Sequence, residues 1–236
     1  MDAYIINMPD NAQSRVGTNG LIMSMAKHAP RVNPILEKAV TPTDLRFDQY
    51  KDLWNYPWGF KELDRETDLL KTPYKTSNPS AHVCCSISHY LLWKKAAQLM
   101  QPIMVLEHDA LFTCKFNLYG HDVQDWDVVG INDPRGNTRK SGVYHQGVQD
   151  LADKQMRINQ VVVVPWVSYG RRDIPQGLAG NSAYIITPSG GRRLVKLVEQ
   201  YGLWPNDALM CKQLMDDLGQ THTYYTTTQH LESTTT

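Results

Sequence analysis

The chain has 236 residues, 42% of them hydrophobic, with 24 Lys plus Arg balancing 24 Asp plus Glu. That is enough apolar material for a substantial core, and a formal charge of zero argues against a protein built chiefly to coat nucleic acid. No linker rich in Pro, Gly or Ser, no repeat at solenoid periods and no run of ~20 apolar residues interrupts it, so one domain over residues 1–236 without a membrane span is expected.

The four cysteines, Cys84, Cys85, Cys114 and Cys211, lack CxxC spacing, and the adjacent pair cannot bridge without strain. They are read as small core thiols of a reducing compartment. The opening MDAYIINMPDN has neither a basic start nor a long apolar stretch, so no signal peptide is read there and a cytoplasmic location is expected.

In chain order, Ala3–Met8 is a short apolar run cut off by Pro9-Asp10-Asn11, which predicts a first strand leaving into a turn. A helix is expected from Ser14 to His28, with Leu21, Ile22 and Met25 on one side, and a strand–turn–helix start of this kind often forms half of a nucleotide pocket. Residues 41–80 carry Trp54, Tyr56, Trp58 and Phe60 among many prolines and charges, without a clean period; an irregular or short-helical insertion is predicted.

Helical spacing returns over Ser86–Met100, which Pro102 must end. Strands are predicted at Ile103–Leu106, Trp126–Ile131, Val161–Val164 and Asn181–Thr187. Ser189 is expected to cap a helix running to Tyr201, with Gly202 ending it, and a last helix is expected over Asp207–Leu218, stopped by Gly219. The stretch THTYYTTTQHLESTTT over residues 221–236 is too rich in Thr to be helical and reads as a strand plus a flexible end, with residues 228–236 as the C-terminal tail. Helices alternating with strands predict an α/β fold with helices flanking a mixed central sheet.

Chemistry concentrates at Glu107-His108-Asp109, where an apolar strand ends on two acids one residue apart. Desolvated carboxylates need a cationic neighbour. Spacing of two along an extended chain turns both acids to the same side, at the strand end where α/β proteins bind ligands. Hard oxygen donors of this kind suit Mg²⁺ or Mn²⁺, which in turn bind diphosphate; an ordinary solvated loop is the plain alternative. His108 alternates to the other side, and His89 is read as a hydrogen-bonded core histidine. Arg135–Lys140, Gly170–Arg172 and Arg192-Arg193 are the compact basic clusters, most simply solvated faces.

The order of these blocks resembles glycosyltransferase family 25, the group that includes lipooligosaccharide and collagen galactosyltransferases. Cys85-Ser86-Ile87-Ser88-His89, then Trp93, then Leu106-Glu107-His108-Asp109 is similar to the family's Gly-Cys-x-x-Ser-His…Leu-Trp…Leu-Glu-Asp-Asp pattern, with Cys84 in place of the Gly and His108 in place of the middle Asp. Tyr4-Ile5-Ile6-Asn7 with Arg15, Trp126–Val129, Gly180–Ile186, Pro205-Asn206-Asp207 and Gln229 with Glu232-Ser233-Thr234 resemble its remaining blocks, whereas Thr41-Pro42 stand where the family has Asp-Gly.

The resemblance implies a GT-A fold and transfer of a sugar from a nucleotide-sugar, typically UDP-linked, to an acceptor hydroxyl with inversion, on a glycan or lipooligosaccharide. It implies Asp109 as principal metal ligand and Glu107 as a second ligand or a ribose contact. Asp207 becomes the candidate base, with helix capping as its alternative. His230, and less so His222, would supply a further metal ligand from the tail. Asn7 would touch the nucleotide, Arg15 the diphosphate or base, and Asn181 and Ser182 the donor sugar; a surface ion pair is the alternative for Arg15. The aromatics of 41–80 would pack on the domain or line a sugar site. Two other readings share the fold: a sugar transferase acting on hydroxymethylated DNA bases, and a catalytically degenerate protein that only binds a glycan or a partner.

Overall fold

The computed structural model describes residues 1–137, 140–167 and 171–229. The chain opens with β1 (Asp2–Asn7), α1 (Ala12–His28) and β2 (Asn33–Lys38). Asn11 caps α1, its side chain accepting from Ser14 N at 2.9 Å, so the helix starts two residues before the expected Ser14. Residues 41–80 are more ordered than their composition predicts. They form α2 (Leu45–Tyr50), a 3-10 turn over Lys51–Leu53, and an antiparallel hairpin of β3 (Glu62–Asp64) and β4 (Leu69–Lys71).

Next comes α3 (Pro79–Gln98), which begins seven residues before the predicted Ser86 because Asn78 caps it and Pro79 occupies the first turn, where a missing N–H costs nothing. Then follow β5 (Ile103–Glu107), β6 (Ala110–Phe112), α4 (Gly120–Val123), β7 (Val128–Gly130), α5 (Ser141–Lys154), β8 (Val161–Val163) and β9 (Ala183–Ile186). In α6 (Pro188–Tyr201) the cap is Thr187, whose Oγ1 accepts from Gly190 N, and not the expected Ser189. Gly202, at φ +82°, ends it as predicted.

The predicted helix Asp207–Leu218 is corrected. Only α7 (Asn206–Leu209) is helical, and β10 (Leu218–Thr221) and β11 (Thr226–Thr228) follow. Gly219 is therefore a strand residue. A Cβ there would lie 2.5 Å from Val161 and 2.9 Å from the Trp126 ring, so close packing rather than helix termination requires the glycine.

Seven strands form one mixed sheet in the order β2-β1-β5-β9-β7-β10-β8, with β6 and β11 paired separately beside it. Strands β2, β1 and β5 run parallel, and β9 runs against β5. Alternate residues enter opposite layers. Tyr4, Ile6, Ile103, Val105, Tyr184 and Ile186 join the α3 and α6 side, while Ala3, Ile5, Met104, Leu106, Ala183 and Ile185 join the α1 side with Leu21 and Met25. Burial on both faces explains why these strands read as unbroken apolar runs. Among the described residues no helix is long and apolar enough to cross a membrane.

Candidate active site

The sheet delivers the acids to one edge. Parallel pairing of β1 with β5 sets Ile6 opposite Glu107, and antiparallel pairing of β5 with β9 sets Leu106 opposite Ala183, so Glu107, Asn7 and Ser182 share the carboxyl edge of β5. Glu107 N donates to Ser182 O at 2.8 Å. The chain then turns through His108 and Asp109 into β6, which pairs with β11, and Gln229 N donates to Asp109 O at 2.6 Å. The Gln229 side chain also donates to Ala110 O (2.9 Å) and Gly17 O (3.2 Å), tying the tail to α1 beside the acidic turn.

A cleft of about 330 Å³ opens at this edge. Glu107, Asp109, Asn181, Ser182 and Asp207 line it together with Tyr74, Cys85 and Thr228. Sequence positions up to 154 apart (Tyr74 and Thr228) thus line one cavity, which brings together three of the expected acids, the amide of Asn181 and the hydroxyl of Ser182.

The two acids of the turn are held differently. Glu107 Oε1 lies 3.2 Å from His89 Nε2, and His89 Nδ1 lies 2.9 Å from Tyr184 Oη, which accepts from Trp93 Nε1 at 2.8 Å. An indole N–H can only donate, so it occupies one Tyr184 lone pair. The Glu107 carboxylate can only accept, so His89 Nε2 carries the ring proton toward it, and the neutral ring's Nδ1 accepts from the Tyr184 hydroxyl. Since His89 is fully buried, the relay fixes one carboxylate oxygen from inside the core. Asp109 has no such partner among the described residues: its Oδ1 is buried and accepts no hydrogen bond from them. Burial, and after it the charge of Glu107, push the Asp109 carboxyl up to about 7.

Asn181 is equally telling. Its side-chain oxygen and nitrogen are both buried at the cleft wall and have no partner among the described residues. Gly180 before it has φ +81°, and a Cβ there would lie 2.5 Å from Asn137 Nδ2, so only glycine makes this turn. Ser182 Oγ lies 3.0 Å from Thr228 Oγ1. Asp207 sits in the first turn of α7, and the Tyr74 hydroxyl lies 2.7 and 2.6 Å from its two oxygens. Burial raises the Asp207 pKa, and the Tyr74 hydrogen bond opposes that rise.

Other expected residues fall elsewhere. Arg15 is exposed and donates to Pro9 O at 2.9 Å, and neither it nor the buried Asn7 lines the cleft. His222 packs beside Arg157 and Gln149, away from the cleft wall. His230 lies outside the described residues, as do Glu232-Ser233-Thr234, Arg139 and Gly170 of the motifs above. His108 is half-buried, and burial lowers its pKa. Two residues escaped the sequence reading. Tyr74 sits in a segment without periodicity. Cys85 was expected in the core but is exposed at the cleft, whereas Cys84 and Cys211 are buried.

One arginine of each basic cluster pairs locally with an acid: Arg135 with Asp133 (2.6 Å), Arg171 with Asp173 (2.8 Å), and Arg193 with Asp127 (3.4 Å). Arg192 Nη1 lies 3.5 Å from the Ala97 carbonyl.

A family model described as glycosyltransferase family 25 (LPS biosynthesis protein) matches residues 70–210. That match makes the protein a glycosyltransferase, carried on a mixed α/β sheet with an acidic edge. More narrowly, the chain belongs to glycosyltransferase family 25. Among solved structures it is similar to the galactosyltransferase LgtC in complex with donor and acceptor sugar analogues, at 11% identity over 93% of this chain and 73% of that one, TM-score 0.45. It is also similar to mouse xyloside xylosyltransferase 1 in its apo form, at 10% identity over 91% of this chain and 81% of that one, TM-score 0.42. No curated protein matches the chain by sequence.

Proposed function

We propose that this glycosyltransferase is metal-dependent and moves a sugar from a UDP-sugar to a hydroxyl of a glycan or lipooligosaccharide acceptor, with inversion at the anomeric carbon. The observation that carries the reading is the pair of acids at the cleft: Asp109 Oδ1 is a buried acceptor without a partner, beside Glu107. A buried, unneutralised carboxylate is costly, and a divalent cation removes that cost.

The donor set fits Mn²⁺ or Mg²⁺, with Asp109 as the principal ligand and Glu107 as the second. When bound, the ion supplies Lewis-acid stabilisation of the charge that develops on the departing diphosphate. Asp207 is the base. It accepts the acceptor hydroxyl's proton while that oxygen bonds to the anomeric carbon, and the bond to diphosphate breaks with its electron pair leaving on phosphate. The Tyr74 hydrogen bond orients the Asp207 carboxylate for this task, and its raised pKa makes it a better base than a solvated aspartate. Asn181 offers one donor and one acceptor, a match for sugar hydroxyls, with Ser182 beside it. Asn7 and Arg15 stand outside the cleft lining and are assigned no contact here.

A formal net charge of zero disfavours the DNA acceptor, since phosphate contacts need an excess of Lys and Arg. A screen of nucleotide-sugars with Mn²⁺ tests the proposal. Turnover of a UDP-sugar is expected, falling at least about 10³-fold in Asp109→Asn. No turnover of any donor, with intact binding of glycans, would leave the degenerate binder.

A further inference from the structure

One helix face and one strand end bring together a second kind of donor set in the cleft. Among the described residues, ligand atoms of Cys85, His89 and Glu107 lie within 4.8 Å of one another. Cys85 and His89 are four apart on α3 and so share a face, while Glu107 closes β5. The set is one sulfur, one imidazole nitrogen and one carboxylate oxygen. Three protein ligands of this mixture, with one side open to a cleft, match tetrahedral Zn²⁺ and its fourth, exchangeable position; they do not match the all-oxygen sphere that Mg²⁺ requires.

We infer that Cys85, His89 and Glu107 form a Zn²⁺ site in the wall of the cleft, separate in donor chemistry from the oxygen site at Asp109 and sharing Glu107 with it.

The supporting residues are already in place. His89 is fully buried and held by Tyr184, which Trp93 holds in turn, so the ring is oriented before any ion arrives. Binding requires one tautomer exchange. His89 Nε2 loses its proton to solvent and offers its lone pair, while Nδ1 takes one proton from solvent and donates to the second lone pair of Tyr184 Oη, leaving Glu107 ionised. The imidazole stays neutral. The Cys85 thiol loses its proton to solvent as the sulfur–zinc bond forms, so one proton is released per ion. The carboxylates of Glu107, Asp109 and Asp207 line the same cleft wall as the Cys85 thiol. The same negative surroundings favour a cation and, once it binds, the thiolate.

Because Glu107 serves both sites, Zn²⁺ and the activating ion exclude one another, and Zn²⁺ becomes an inhibitor. This consequence rests on the role given to Glu107 above; the Zn²⁺ site itself does not.

Co²⁺ titrated into the full-length protein is the test, since a thiolate bound to Co²⁺ gives a near-ultraviolet charge-transfer band whether or not the protein turns over a sugar. The expected result is a band saturating at one ion per chain, abolished by Zn²⁺, absent in Cys85→Ser and retained in Asp109→Asn. Glu107→Gln is expected to weaken Co²⁺ binding on the order of 100-fold. No band in the unmodified protein, or a band that persists in Cys85→Ser, overturns the site. A band that behaves as expected in a protein inactive on every sugar donor leaves the zinc site standing and removes the transferase mechanism alone.

Discussion

Two polar regions of this molecule look alike in composition and differ in one respect. Beneath the β3–β4 hairpin, Lys71 is buried, yet its Nζ lies 2.9 Å from Asp64, 3.2 Å from Asn55 O and 3.7 Å from Glu62, over the face of Trp204. Asp64 also accepts from the Glu66 and Thr67 amides and the Thr67 hydroxyl, and these bonds with Lys71 outweigh burial, holding its carboxyl below the usual range. At the cleft, Asp109 Oδ1 and both amide atoms of Asn181 are buried without a hydrogen-bond partner among the described residues. Buried polar groups in folded proteins are nearly always satisfied. The hairpin region satisfies its buried charges internally, whereas these cleft atoms have no partner among the described residues.

Substitutions separate the two regions. The largest effect is expected at the cleft: Asp207→Asn removes the base and lowers kcat about 10²–10⁴-fold while changing KM little, read by steady-state transfer assays. A loss under tenfold would return Asp207 to a merely structural role in α7. At the hairpin, Lys71→Ala leaves Asp64 buried without its cation and costs about 3 kcal/mol. For a chain of this size that lowers Tm by roughly 6–12 °C in a thermal melt. Activity per folded molecule stays unchanged, because Lys71 touches no residue of the cleft wall. If Lys71→Ala instead removed activity at full stability, the division between the regions would fail.

The sequence revealed where the chemistry lies better than how it is held. An apolar run ending in Glu107-His108-Asp109 is legible because strand periodicity and the cost of burying acids both speak at that point, and the blocks around Asn181 and Asp207 were readable by resemblance. That Asp109 is unpartnered while Glu107 is clamped was not legible, because the clamp runs through Tyr184, 77 positions further along the chain from Glu107 and reached only by strand pairing. Tyr74 was missed because nothing local marks a tyrosine that reaches across 133 residues to Asp207. Helix α5 was missed because Gly142 and Gly147 weaken its propensity; a Cβ at Gly147 would meet Pro165 at 2.7 Å. Gly219 reads as a helix stop locally and is a packing glycine globally.

The central claim is that Asp109 awaits a divalent cation, and calorimetric titration of Mn²⁺ with UDP present tests it most directly. The Asp109 carboxyl, raised to about 7, is ionised at pH 8 and mostly protonated at pH 6, so protons compete with the ion and affinity falls roughly tenfold between those values. The account predicts saturable binding at pH 8, that loss at pH 6, and no binding in a folded Asp109→Asn variant. Equal Mn²⁺ affinity in the variant and the parent protein would contradict it.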